Sequence, residues 1–417
     1  MMIKKVKANL IQYKVLLENF SFLSVLQVSN LLIFLLMTPY IFRVLGKENY
    51  GLVVFAQTIS TYFSILINFG FNVTATKDIS INRDSKDKTS DIISTVLTLK
   101  GILFIVSFLI LSGLVLIIPF LKNNSTVFFI SMLYCLSETL FPLWYFQGTE
   151  KMKYIAIINI ITRIASAVLI FVFVRNSDDF LLVPILLGSG SLSGAIIGLW
   201  ILFWKHNQKF RYPSFSNLRL SIKENIPMFI SSVSTQIYVN ANKLIAGSFL
   251  GMQELAIYDV VDKIVYMLKI PVVLVGQTLF PRVSRDKDIK FVMRSMKLVL
   301  IFFVVIYTSV FIFANPLIQF FSGSVNPEAV NLLRLLSVSL LPICLGLFFA
   351  ELLLIPFGKL LDYTRMRTIS LFIYLIIIVV LFQFNQIGLF QLAITIITVE
   401  TFVLFYSYFL CKKNKIL

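Results

Sequence analysis

Histidine is nearly absent: His206 is the only one in 417 residues, which excludes a multi-histidine metal site and argues against a histidine-based catalytic triad. Cysteine is scarce too. Cys135, Cys344 and Cys411 all fall within apolar runs, leaving no disulfide framework and no paired-thiol motif. Charged residues make up only 14% of the chain against 58% hydrophobic side chains, with a mean hydropathy of +0.90. A soluble domain could not clothe its surface with so little polarity. The gaps between apolar runs are short, so no separate soluble domain fits between them, and lipid is the main solvent of this chain.

What is present is phenylalanine, 41 residues of it, in runs of membrane-spanning length. At about 20 apolar residues per crossing, helices are expected over 20–42, 52–73, 92–119, 126–146, 155–174 and 181–204. Six more are expected over 226–247, 255–280, 297–321, 332–356, 368–384 and 388–411. The reading is an all-α integral membrane protein with two six-helix bundles, 20–204 and 226–411, around a central cavity. A segment 1–19, a linker 205–225 and a tail 412–417 lie outside them, on the cytoplasmic side. The first run is longer than a signal-peptide core and no small-residue cleavage site follows it, so it is read as the first span.

Orientation follows from the basic residues, which are retained in cytoplasmic loops. With both termini inside, the outer loops hold only Arg43, Lys47, Lys122 and Arg175, while most of the 37 lysines and arginines fall in inner segments. The net charge of +17 is therefore a topology signal with an attraction to anionic lipid. Nucleic acid is not an expected partner.

Six basic residues lie within the expected spans: Lys100, Arg163, Lys243, Lys263, Lys269 and Arg334. A charge at the centre of a spanning helix costs on the order of 2.5–3.5 kcal/mol on insertion scales, so a cation there implies an anion. Lys100 and Arg334 stand near helix ends, where they are expected to snorkel; for Lys243, snorkelling and a cavity role remain equally open. Asp259 and Lys263 have the four-residue spacing, acid first, of a helical ion pair. Arg163 and Lys269 have no oppositely charged neighbour three or four residues away. They are the strongest candidates for contact with an anionic substrate.

Polar stripes at helical spacing mark wet or interhelical faces. Gln57, Thr61, Ser64, Asn68 and Asn72 form one; Ser232, Gln236, Asn240, Lys243 and Gly247 form another. Hydrogen bonding between helices is the competing reading of both. Among the acids, Glu138, Asp259, Asp262 and Glu400 are candidates for charge pairing or ion coupling, because burial and a nearby cation act oppositely on a carboxyl group. Glu351, near an inner end, reads as a solvated-face residue. Pro142, Pro271, Pro316 and Pro342 interrupt spans, either as hinges or as ordinary membrane-helix prolines.

Each half holds six spans and enters from the same side, the pattern of a parallel repeat. Leu45-Gly46 and Leu250-Gly251 align in the outer turns, with Gly51 and Ala256 five positions after each glycine. Gln147-Gly148 and Phe357-Gly358 both follow the fourth helix of their half.

Three patches carry a family resemblance. Asn242-Lys243-Leu244-Ile245 with Phe249-Leu250-Gly251 and Tyr258-Asp259-Val260-Val261-Asp262-Lys263-Ile264 is similar to the Wzx-type O-antigen flippases of bacteria. Trp144-Tyr145-Phe146-Gln147-Gly148-Thr149-Glu150-Lys151-Met152, and Arg43-Val44-Leu45-Gly46 with Tyr50-Gly51, resemble the same family at matching positions. The resemblance implies membership of the multidrug, oligosaccharidyl-lipid and polysaccharide (MOP) exporter superfamily, with a MATE-like pair of bundles around a V-shaped cavity. It implies a non-enzymatic flippase of the bacterial inner membrane that moves undecaprenyl-diphosphate-linked oligosaccharide to the periplasmic leaflet by alternating access. Substrate contacts are then expected at Arg163, Lys243, Lys263, Lys269, Asn240, Gln236, Gln57 and Asn68. No cofactor is expected; proton or sodium coupling is typical of the wider superfamily, and surface-polysaccharide assembly proteins are the implied protein partners. Two alternatives stay open: a drug or cation exporter of the same superfamily, and a membrane polymerase or glycosyltransferase acting on lipid-linked glycans. Excess cavity cations count against the first, and the lack of a large outer loop or nucleotide-sugar motif against the second.

Overall fold

The computed structural model describes the backbone of residues 2–417, with side chains described except at 2–17, 19, 20, 23, 231, 235, 238, 277 and 281. Lys4, Lys5 and Lys7 of the expected cytoplasmic segment therefore lie outside the described side chains. The described chain is helical throughout its ordered elements, with no strand among the described residues. The helices are α1 (Met2–Asn68), α2 (Phe71–Asn82), α3 (Lys86–Ile117), α4 (Pro119–Asn123), α5 (Ser125–Leu140), α6 (Leu143–Gly148), α7 (Met152–Phe173) and α8 (Leu182–Trp200). They continue with α9 (Phe215–Ile245), α10 (Met252–Asp286), α11 (Ile289–Ser322), α12 (Pro327–Ser337), α13 (Leu340–Gly346), α14 (Leu360–Gln383) and α15 (Leu389–Lys413). π-Helical turns extend α8, α9 and α13 over Ile201–Lys205, Ala246–Leu250 and Leu347–Leu354.

Ten helices among the described residues are long and apolar enough to cross a membrane, which makes this a multi-pass membrane protein. The first of them, Ser24–Asn82, is 59 residues long. At 1.5 Å per residue that is roughly 90 Å, about three times the hydrocarbon thickness, and it covers both of the first two expected spans. Gly46 divides it, with φ 72° and ψ 171°, and Phe69 and Gly70, with φ 42° and 84°, separate α1 from α2 within it. The expected seventh span lies in α9, which falls outside the ten and carries the Gln236, Asn240 and Lys243 stripe; α9 also begins well before residue 226. The arrangement is consistent with twelve spans.

The chain divides into two compact units. One comprises Met1–Leu45 with Ala56–Ser232, the other Gly46–Phe55 with Val233–Leu417. Residues 46–55 thus belong with the C-terminal half.

In lipid, apolar burial does not drive helices together, so van der Waals packing through small residues must. Within the first unit, α8 supplies that at Gly188, Gly190, Gly194 and Gly198. A Cβ on Gly188 would lie 2.7 Å from Leu133 of α5, and one on Gly194 would lie 3.1 Å from Ile158 of α7. Trp144, Phe146, Phe71, Ile79 and Ile93 form the core around α2 and α6. There Gly148 lets α6 approach α2 closely, a Cβ on it lying 2.7 Å from the Thr76 carbonyl.

Pro142 ends α5 in the same unit. Having no amide hydrogen, it cannot donate to the carbonyl four residues back, that of Glu138. Lys100 of α3 does so instead, at 2.5 Å, with its side chain almost wholly buried at 1% exposure. The expected snorkelling of Lys100 gives way to this contact because the broken helix offers a better partner than the interface.

The segment after α8 is strapped to the start of α3. Gln208 Oε1 accepts from Thr89 and Ser90 at 3.0 and 3.1 Å, the Lys209 and Arg211 amides donate to Ser90 and Ser94, and the Arg211 guanidinium pairs with Asp87 and Asp91. Those carboxylates hold the Arg211 pKa above its usual value, the hydrogen bond that Arg211 donates to Asp87 being the largest cause.

The second unit has its own core, around Val283, Phe348, Leu353, Met366 and Leu410. Gly251 opens α10 with φ 103° and ψ 172°, almost the conformation of Gly46. The other aligned pair differs: Gly358 has φ 79°, whereas Gly148 has no positive φ.

Candidate functional site

In the first unit, α1, α5, α7 and α8 surround a cavity of about 330 Å³. Arg163 projects from α7 into it, and its guanidinium donates to Asn30 Oδ1 at 2.8 Å. No carboxylate pairs with Arg163 among the described residues. The rest of the polar lining is mainly neutral: Gln57, Ser60, Thr61, Ser131, Tyr134, Thr162, Ser166 and Ser191. Hydroxyls and amides at helical spacing can both donate and accept hydrogen bonds, which suits a ligand that is itself rich in hydroxyls.

Asn68 and Glu138 meet nearby, Asn68 Nδ2 donating to Glu138 Oε2 at 3.2 Å. Asn68 also reaches Ser64 at 3.3 Å. Neither Asn68 nor Glu138 lines the cavity.

The second unit holds a cavity of about 370 Å³ lined by Lys269, Gly276, Glu351, Tyr363, Arg367 and Glu400 among others. Arg367 is paired with Glu351 at 3.5 Å. Lys269 has no ion-pair partner among the described residues. Among the described residues, then, neither Arg163 nor Lys269, the two cations isolated in the sequence, has an ion-pair carboxylate; each unit holds one of them, and Lys269 shares its cavity with Glu351 and Glu400.

Lys243 and Lys263 are placed differently. Asp259, with its side chain 2% exposed, takes Lys243 on Oδ1 at 2.9 Å and Lys263 on Oδ2 at 2.8 Å. Lys243 also pairs with Asp262 at 3.0 Å, so the four charges cancel. Tyr50 donates to Asp259 Oδ2 at 2.6 Å and accepts from Lys263 at 3.0 Å. Beside them Asn242 donates to Tyr258 and to the Leu392 carbonyl, and Tyr374 donates to Asn242 at 2.6 Å. Such a network is satisfied internally, and truncating one partner would strand the others. Gln236 and Asn240 lie on α9, Asn240 donating back to Gln236 at 3.2 Å; neither lines the two cavities.

Sequence reasoning did not find Asn30, Tyr134, Glu351 or Arg367 as cavity residues. Glu351 looked like a solvated residue near a helix end; the π-helical turn that carries it, Leu347–Leu354, leaves no mark in the hydropathy pattern. Tyr50 was legible only as part of a patch. Two of the resemblance patches, around Tyr50 and around Asn242 to Lys263, meet in the Asp259 network.

A family model described as "Polysaccharide biosynthesis protein" matches residues 16–287. A protein of Escherichia coli (strain K12) named "Putative O-antigen transporter" is 28% identical over 267 residues, a match covering 64% of each chain. The present chain thus spans somewhat less than two thirds of that relative's length. Among solved structures, the lipid II flippase MurJ in an inward closed conformation superposes with a TM-score of 0.71 at 14% identity, covering 94% of this chain and 87% of that one. An inward-facing multidrug resistance MATE family transporter of the MOP superfamily gives 0.64 at 13% identity, covering 95% and 98%. The fold is that shared by MurJ and the MATE transporters.

Proposed function

Because the chain belongs to the polysaccharide biosynthesis protein family, we propose that it is a flippase. Its cargo in this reading is an undecaprenyl-diphosphate-linked oligosaccharide, an O-antigen or other surface-polysaccharide repeat unit, carried from the cytoplasmic to the periplasmic leaflet of the bacterial inner membrane. The observation that carries the reading is Arg163: a guanidinium at a cavity wall, held by a neutral amide and faced by hydroxyls, with no ion-paired acid among the described residues. Arginine presents a planar fork that matches phosphate oxygens, and the surrounding Ser, Thr and Tyr groups match sugar hydroxyls. Lys269 offers a second cation, a point charge, in the other unit. The name of the E. coli relative and the fold of MurJ support the same assignment.

The residues act by binding and release, and no covalent bond is made or broken. Asn30 fixes the Arg163 guanidinium so that little side-chain freedom is lost when the diphosphate arrives. Lys243 and Lys263, neutralised by Asp259 and Asp262, contribute to the rigidity of the second unit. Glu138 and Glu400 are assigned to proton or sodium coupling, and both chain termini to the cytoplasm, as the basic loops require.

Translocation of a fluorescent lipid-linked glycan across reconstituted vesicles tests the reading. Arg163→Ala and Lys269→Ala are each expected to slow transport by about tenfold or more, the loss of roughly one charge-assisted contact, with thermal unfolding unchanged. Normal transport by both variants would remove the diphosphate assignment. Extension or hydrolysis of the glycolipid by the intact protein would make it an enzyme.

A further inference from the structure

A second group of cations stands outside both cavities, where the chain leaves α6 and the π-helical turn after α8. Lys151 follows α6, Lys153 and Tyr154 open α7, and Lys205 and His206 close the turn. Lys151 Nζ lies 3.1 Å from His206 Nε2. Lys153 and Lys205 hold their ammonium groups 5.4 and 5.3 Å from the centre of the Tyr154 ring, which itself lies 5.5 Å from the imidazole. Three positive charges therefore gather around one pair of rings.

Among the described residues, none of the three lysines has a carboxylate within ion-pair reach, and the adjacent Glu150 is committed to Arg83 at 3.6 Å. Burial, then Lys151, Lys205 and Lys153, push the His206 pKa down to about 4. Burial, and then its lysine neighbours, also lower that of Lys151, with Tyr154 opposing. At neutral pH the imidazole is uncharged, and its Nε2 accepts from Lys151. Like charges held this close repel one another, and an anion with several oxygens seated among them would relieve that repulsion while taking a hydrogen bond from each ammonium. The basic-loop distribution puts this cluster at the cytoplasmic ends of its helices, at the depth of lipid phosphates.

We propose that Lys151, Lys153 and Lys205, set around Tyr154 and His206, form a binding site for a phosphate or diphosphate group at the cytoplasmic membrane surface. The site is distinct from the Arg163 and Lys269 cavities and does not depend on what they carry. The same phosphate chemistry is offered by an anionic lipid headgroup and by a soluble pyrophosphate.

His206, the sole histidine, reports on the site without background. In full-length protein with isotope-labelled histidine in maltoside micelles, inorganic pyrophosphate is expected to shift the His206 ring resonances saturably, while sodium chloride at equal ionic strength does not. Lys151→Met with Lys205→Met is expected to weaken the response by about tenfold or more, and Lys205→Arg to retain it. Nanodiscs with and without phosphatidylglycerol separate the sources. A shift on adding that lipid, without one from pyrophosphate, supports the site and assigns it to a headgroup; the reverse supports it and assigns it to a free diphosphate. Silence towards both probes, an equal response to sodium chloride, or an undiminished response in the double variant overturns the site.

Discussion

Lys100 donates to the backbone carbonyl of Glu138 at 2.5 Å, at the acceptor that Pro142 leaves unserved. A proline break inside a membrane would ordinarily expose a carbonyl to hydrocarbon, which costs several kcal/mol unless some neighbour satisfies it. Here the neighbour is an ammonium from another helix, so the break in α5 is stabilised by α3.

Lys100→Met is therefore expected to destabilise the protein by about 1–3 kcal/mol, because the freed carbonyl and the nearby Glu138 carboxylate outweigh the relief of one buried charge. Adding Pro142→Ala, which restores an amide donor to the helix, should recover part of that loss. Thermal unfolding of the two single variants and the double variant in maltoside checks it. Losses that simply add would mean that the two residues do not serve one acceptor.

Asp259→Asn should lower stability by about 3 kcal/mol, because it takes the buried carboxylate from Lys263 and one of the two from Lys243. Asp262→Asn should cost less than about 1 kcal/mol, since Asp262 is 37% exposed and Lys243 keeps its bond to Asp259. Chemical denaturation in mixed micelles measures both. Equal losses would show that Asp259 is not the centre of the network.

Gly46→Ala and Gly251→Ala test the backbone alone. A Cβ at either glycine meets nothing within 4 Å, so sterics with neighbours are not at issue, yet their φ values of 72° and 103° belong to a region that a non-glycine residue enters at roughly 1–3 kcal/mol. Each substitution should lower the melting temperature. Gly101→Ala, helical and equally open, should raise it slightly. A rise at Gly46 would mean that its turn tolerates an ordinary backbone.

Much of this was legible in the sequence because membranes impose simple rules. Apolar runs placed the helices, and the absence of an acid at helical spacing singled out Arg163 and Lys269. Of the two glycine pairs that align between the halves, Gly46 and Gly251 both take positive φ, whereas Gly148 and Gly358 differ. What escaped was long-range pairing. Lys243 could not be matched to Asp259, nor Tyr50 to either, since hydropathy and spacing report only on neighbours along one helix. Lys100 was read from its distance to a helix end, which says nothing about a carbonyl freed on another helix. Glu351 and Arg367 were missed for the same reason: Glu351 was read as lying near an inner end, Arg367 falls just before the expected span 368–384, and only packing brings them to one cavity.

Tyr50 and Asp259 are separated by 209 residues, and this interval becomes a delay during synthesis. At about 5–20 residues per second, the ribosome takes roughly 10–40 s to deliver Asp259 after Tyr50. For that time the stretch 46–55 is already made while its permanent neighbours do not yet exist. A nascent chain halted before Asp259 cannot finish packing the 46–55 stretch of α1, so completion of the protein's beginning waits on its later half.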